Sequence, residues 1–224
     1  LENKKFIPKG YIVLISGVPG SGKTTISYQL LKKIDEFRII EETDLLREIL
    51  LGYNEYLIKE YKNDSTFIKN INITDHNKLL SLNEASQQCL YMKSSIEKII
   101  ERQKRKGIPS IINGVHIIPS VLNGICNNEG IIFINLYVNN PSSIYKRILE
   151  RNPTSYMLEH ISYIYNSGKD LYEDTKKLAN NSNPYLFNNI DVTTLSIDET
   201  IDKVIDIIDK HIRYNYEQIT NADC

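Results

Sequence analysis

Gly17-Val18-Pro19-Gly20-Ser21-Gly22-Lys23-Thr24 follows directly on the apolar run Tyr11-Ile12-Val13-Leu14-Ile15-Ser16, and this junction decides the fold. It is a complete G-x-x-x-x-G-K-[ST] pattern set between a strand and a helix, because Thr25, Ile26, Leu30 and Leu31 continue an apolar spacing of helical period. The glycines let consecutive N–H groups turn inward on phosphates, and the helix start adds its positive end. Gly17, Val18, Pro19, Gly20, Ser21, Gly22, Lys23, Thr24 and Thr25 thus read as a cradle for a nucleoside triphosphate. Lys23 supplies counter-charge to the β- and γ-phosphates, and the Thr24 hydroxyl is the metal ligand for Mg2+.

Outward from this loop, strands alternate with helices. Ser21 to about Asp35 reads as a helix, Phe37 to Ile40 as a short strand, and Asp44 to Leu51 as a helix with Leu45, Leu46, Ile49 and Leu50 on one face. Residues 52–83 are polar, rich in Tyr and Asn and weakly periodic, as expected of a substrate-binding insert. Glu84 to Lys106 is a long helix closed by Gly107, with Pro109 just beyond. Ser110 to Ile112 and Ile131 to Val138 are buried strands. Further helices are expected at Ser142–Glu150 and Tyr156–Ala179, the latter with Gly168 as a possible break. A fifth strand at Tyr185–Ile190 and a closing helix at Ile197–Ile212 complete the pattern. Five strands in β-α alternation imply an α/β fold, a parallel sheet with helices on both faces.

Composition sets bounds on function. A chain of 224 residues with ordinary apolar and charged fractions suits a single domain over 1–224. A net charge of −1 offers no general attraction to nucleic acid. The one dense basic run, Arg102 to Lys106, reads as a solvated helix end. No apolar run reaches the ~20 residues needed to cross a bilayer. Cys89, Cys126 and Cys224 form no C-x-x-C pair, which fits a reducing cytoplasmic setting. The amphipathic helix faces are open to burial in a core or in a homodimer.

Ligands in open α/β sheets lie beyond the carboxyl ends of the strands. After the second strand stands Thr43-Asp44-Leu45-Leu46-Arg47-Glu48, a carboxylate with an arginine one helical turn later. Asp44 can accept or orient the proton of an attacking hydroxyl, and Arg47 can hold an anionic substrate. Asp44 can equally cap the helix, and Arg47 can pair with Glu48 or Glu42. After the third strand stands Asn113-Gly114-Val115-His116-Ile117-Ile118-Pro119, where His116 is open to a neutral core reading as well as a site reading. After the fourth, Arg147 and Arg151 share a helix face that Pro153 ends. They are candidates for catalytic cations on a lid at about 147–156, with surface pairing to Glu150 or Glu159 as the other possibility.

The combination GVPGSGKTT, TDLLRE and GVHIIP resembles the 2-phosphoglycerate kinases and their relatives among the P-loop small-molecule kinases. The resemblance runs from about Ile12 to Ile212 and is too weak to use between Gly52 and Asn83. It implies an adenylate-kinase-like P-loop NTPase fold, ATP with Mg2+, and phosphoryl transfer to a small-molecule acceptor. It places Gly17 to Thr25 on ATP, and Asp44, Arg47, Gln88, Gly114 and His116 on the substrate side. Asn113 departs from the acidic residue expected before Gly-Val-His. A different acceptor, such as a nucleoside-type metabolite, an antibiotic or a nucleotide sugar, is the other reading within this class. A nucleotide-dependent switch is a further one, although no guanine-reading N-K-x-D follows the fourth strand.

Overall fold

The computed structural model describes residues 7–61, 79–126, 130–151, 155–179 and 184–222. Five strands form one parallel sheet: β1 (Ile12–Ser16), β2 (Ile39–Glu42), β3 (Ser110–Asn113), β4 (Ile131–Tyr137) and β5 (Phe187–Asp191), in the order β2-β3-β1-β4-β5. The helices are α1 (Lys23–Lys33), α2 (Thr43–Glu60), α3 (Leu82–Lys106), α4 (Pro119–Cys126), α5 (Pro141–Leu149), α6 (Ser155–Glu159), α7 (Ile161–Ala179) and α8 (Ile197–Ala222). Among the described residues no helix is long and apolar enough to cross a membrane.

Strand β1 shows why the sheet is covered twice. Ile12, Val13, Leu14 and Ile15 are all fully buried, and alternation sends them to opposite faces. Val13 and Ile15 join Leu30 of α1 and Val204 and Ile208 of α8 in one cluster. Ile12 and Leu14 join Met92 and Ile96 of α3 and Leu122 of α4 in the other. A strand apolar at every position therefore specifies two layers of helix, one on each face.

Several sequence expectations shift. The second strand begins at Ile39 rather than Phe37 and takes in Glu41 and Glu42. It is an edge strand, so half-exposed carboxylates are tolerated there, while Phe37 is buried ahead of it. The helix expected to stop at Leu51 runs on to Glu60, because Gly52 lies on its exposed side with open space where a Cβ would be. The first part of the expected irregular insert is thus helical, and residues 62–78 lie outside the described residues.

Helix α4 was not foreseen, since Val121-Leu122-Asn123-Gly124-Ile125 is too short for its period to stand out. The break expected at Gly168 falls instead at His160, between α6 and α7. Gly168 is buried inside α7, where an added Cβ would come within 3.2 Å of Val18. Its role is to let that helix lie against the phosphate loop. The fifth strand starts at Phe187, two residues later than expected. The last helix extends ten residues beyond Ile212, to Ala222. Pro153, expected to end the lid helix, lies outside the described residues; α5 itself ends at Leu149.

Helix α3 starts at Leu82, two residues ahead of the expected Glu84, behind the N-cap Ser81. Ser81 Oγ accepts the Glu84 N–H and Glu84 Oε2 accepts the Ser81 N–H, a reciprocal pair that satisfies two backbone donors. The hydroxyl of Tyr163 on α7 donates to the same carboxylate at 2.8 Å. The start of α3 is thereby fixed against α7.

Candidate active site

The site is built where β1 ends. Gly22 precedes α1 with φ +95°, a left-handed backbone that turns the chain into the helix. Lys23 then folds back over the loop, and its Nζ donates to the carbonyl oxygen of Val18 at 3.0 Å. Burial lowers the Lys23 pKa to about 8, offset in part by the negative charges of Asp44 and Glu42 and reinforced by Arg151.

Three cavities lie in a row around this loop. The central one, of about 380 Å³, is bounded by Pro19, Gly20, Lys23 and Thr24 below and by Glu42, Asp44 and Asn113 at the strand ends. On one side it meets a cavity of about 450 Å³ between Ser21, Gly22 and Thr25, Arg147 of α5, and the β5–α8 turn at Val192–Ser196. Gly20 and Arg151 border both of these. On the other side lies a cavity of about 330 Å³, reached past Pro19, Asp44, Val115 and Met157, which border it and the central one alike. Gly17, Val18 and Arg47 are on its wall.

Asp44 therefore stands at the passage between two chambers, with a side chain 60% exposed. Arg47 is half-hidden behind it; its Nη2 donates to Glu48 Oε1 at 3.0 Å, and its Nε, shielded from solvent, has no partner. The two arginines of the expected lid differ. Arg147 donates to the carbonyl of Val192 and loses solvation there, which lowers its pKa. Arg151 faces both the central and the outer chamber.

His116 and Gln88 are not on the walls of these three cavities. His116 is fully buried, with Nε2 2.8 Å from Gln88 Oε1 and Nδ1 3.1 Å from Thr43 Oγ1. Burial holds its pKa down at about 4, against the pull of nearby Asp44 and aided by the repulsion of Arg47 and Lys23. Such an imidazole is neutral at pH 7: Nε2–H donates to Gln88, and Nδ1 accepts from the Thr43 hydroxyl. Gly114 is needed beside this pair, because a Cβ there would sit 1.7 Å from Thr43 Oγ1. Asn113 donates to Ser27 Oγ of α1 at 3.0 Å, which ties β3 to the phosphate-loop helix.

Glu42 is a site residue that sequence reasoning did not single out. It pairs in register with Asn113 and borders the central cavity beside Lys23 and Thr24. Its signal was its place at a strand end, hidden by a strand boundary drawn two residues too early. The far walls of the cavity beyond Asp44, from Leu79 to Ala85 and from α6 and α7, fall in the segments that the sequence offers for a substrate pocket: residues 52–83, the helix that carries Gln88 and the helix after Pro153.

The oxygen donors around Thr24 suit a hard cation. The Thr24 hydroxyl, the Glu42 and Asp44 carboxylates and the Asn113 amide all border one chamber, and Mg2+ takes oxygen ligands while keeping several waters. Among the described residues no three His, Cys, Asp or Glu side chains form a dedicated metal cluster.

No protein-family model matches the chain. In sequence it is similar to the 2-phosphoglycerate kinase of Methanothermobacter thermautotrophicus, 25% identical over 207 residues that make up 89% of this chain. It is likewise 26% identical to the enzyme of that name from Pyrococcus horikoshii, over 90% of this chain. The chain spans 65% of the length of each of these relatives. Among solved structures, a gluconokinase from Sinorhizobium meliloti matches with TM-score 0.57 and 14% identity, over 96% of this chain and 99% of that one. The thymidylate kinase of Candida albicans matches with TM-score 0.53 and 17% identity, over 91% and 92%. The chain thus has the adenylate-kinase-like α/β fold of the P-loop kinases, and in sequence it resembles the 2-phosphoglycerate kinases.

Proposed function

We propose that this chain is an ATP-dependent phosphotransferase that moves the γ-phosphoryl group to a hydroxyl of a small anionic metabolite. The observation that carries this reading is the row of three chambers, with Lys23 and Thr24 in the middle one and Asp44 at its passage to the next. A nucleotide whose base lies in the chamber by Thr25 and Val192 has its phosphates over the loop and its γ-phosphoryl facing Asp44.

The acceptor oxygen then forms its bond to the γ-phosphorus while the bond to the β–γ bridging oxygen breaks and ADP departs. The hydroxyl proton passes to the Asp44 carboxylate. Lys23 and Arg151 spread the charge of the transferring group. Thr24, with Glu42, Asp44 and Asn113 around the same chamber, would hold Mg2+, which would supply counter-charge to the phosphates. The resemblance to 2-phosphoglycerate kinases makes 2-phosphoglycerate the first acceptor to test.

The test is ADP release and product mass with MgATP and an acceptor panel. Asp44→Asn should lower kcat by roughly 10²- to 10⁴-fold with an unchanged far-UV spectrum, since the side chain is largely exposed. Undiminished turnover by Asp44→Asn removes its role at the hydroxyl.

A further inference from the structure

The two carboxylates of β2 divide between the faces of the sheet. Glu41 turns to the α3 side, where it accepts from Gln103 Nε2 at 3.3 Å. Alternation sends Ile40 and Glu42 to the other side, and Ile40 packs there against the cluster that holds Ile26 and Leu30 of α1. Glu42 is the N-cap residue of α2, yet its side chain makes no cap bond. It borders the central chamber with Lys23 and Thr24. Asp44 is on the walls of two of the three chambers, whereas Glu42 borders the central one alone.

On the next strand Asn113 is the register partner of Glu42, which sets the two backbones about 4.8 Å apart. Asn113 shares the α1 face, since its Nδ2 donates to Ser27 Oγ at 3.0 Å. Ser27 lies three residues after Thr24, on the same side of α1. The ends of β2 and β3 thus present two oxygen-bearing side chains, side by side, to the helix turn that carries the Thr24 hydroxyl. Glu42 is an anion and partly exposed; Asn113 is neutral, buried and occupied in joining β3 to α1. Sites that hold Mg2+ with substrate phosphates use one or two carboxylates for the protein's share.

Resting on the phosphotransferase reading, we infer that Glu42 is the carboxylate that gives the site its affinity for Mg2+, with Asn113 as the neutral neighbour that fastens β3 to α1. Asp44 is thereby left to the acceptor hydroxyl. The negative charge belongs to this level of the α1 face rather than to one strand, so moving it from the end of β2 to the end of β3 should preserve it.

The test uses Mn2+, which suits the same oxygen donors and whose free form is counted by electron paramagnetic resonance. It is titrated into a non-hydrolysable ATP analogue held by excess protein. Glu42→Gln should weaken Mn2+ binding by roughly tenfold or more, with the melting temperature of the metal-free protein unchanged, since the side chain is partly exposed. Glu41→Gln, the same loss of charge on the opposite face, should stay within about threefold. Adding Asn113→Asp to Glu42→Gln should recover most of the loss, because the Ser27 hydroxyl can turn and donate to the new carboxylate. Full Mn2+ affinity in Glu42→Gln, an equal loss in Glu41→Gln, or no recovery in the double variant overturns the inference while the phosphotransferase reading stands. A wild-type protein that takes up no analogue overturns both.

Discussion

The Nδ1 of His116 lies 3.1 Å from the hydroxyl of Thr43, the residue immediately before Asp44. Through this bond the loop after β3 grips the first turn of α2, and Gln88 of α3 holds the other side of the ring. The carboxylate of Asp44 stands 3.4 Å from the same nitrogen. His116 thus holds the start of α2 from beneath.

Replacing His116 by Ala should therefore act on both stability and turnover. It leaves the Thr43 hydroxyl and the Gln88 carbonyl buried without their partner, and it opens a cavity, for a loss of about 2–4 kcal/mol. Asp44 loses its support, so kcat should fall while KM for ATP changes little. Urea unfolding with steady-state kinetics checks this, and a variant that loses stability but keeps kcat would leave His116 a core residue only.

Acid should destabilise the protein through its two buried imidazoles. His116 and His211, the latter 2.7 Å from the Tyr11 hydroxyl, both have folded pKa values of about 4 against an ordinary 6.5, from burial. Below pH 6.5 the unfolded chain binds a proton at each ring that the folded chain refuses until about pH 4. Stability is thus complete above pH 6.5 and declines as pH falls, at about 1.4 kcal/mol per unit for each ring. Each ring's share is on the order of 3 kcal/mol at pH 4. Urea midpoints between pH 7 and pH 4 measure the decline, and His211→Gln, which keeps an acceptor for Tyr11, should flatten it.

These residues also show where sequence reading succeeds and where it stops. The loop and strands β1 and β4 were legible because their signals are local: glycine at fixed offsets, or apolar residues at every position of a doubly covered strand. Asp44 and Arg47 stand out in the sequence as polar groups just after the second strand, and Arg151 as a cation just past the helix that follows the fourth. For His116 the sequence leaves a core and a site reading both open, since the partners that satisfy its ring, Thr43 and Gln88, are 73 and 28 residues away. Arg147 and Arg151 looked alike in sequence, and the carbonyl of Val192, 45 residues on, separates them. Contacts of that span are set by topology, which no local pattern records.

That separation makes a prediction. Arg151, which borders the phosphate chamber, should be the arginine that acts on transfer, and Arg151→Ala should lower kcat by roughly 10²-fold or more. Arg147→Ala removes a bond that joins α5 to the end of β5. Its expected effect is a lower Tm and a higher KM for ATP, with kcat within about threefold. Equal kcat losses in the two variants would show that both cations reach the transferring group.

Lys23 gives the last prediction a sign that can be worked out. In the ligand-free protein its ammonium is desolvated and titrates near pH 8. Phosphate oxygens placed beside it favour the charged form, so its pKa is higher in the nucleotide complex than in the free protein. Between those two values binding takes up a proton. Affinity for an ATP analogue should therefore be level below pH 8 and fall as pH rises above it, by up to tenfold per unit. Lys23→Met should bind more weakly throughout and lose this dependence. Calorimetry at pH 7, 8 and 9 in buffers of different ionisation enthalpy reads both the affinity and the proton uptake. Wild-type affinity that stays flat to pH 9 would mean that the lysine is fully charged before the phosphates arrive.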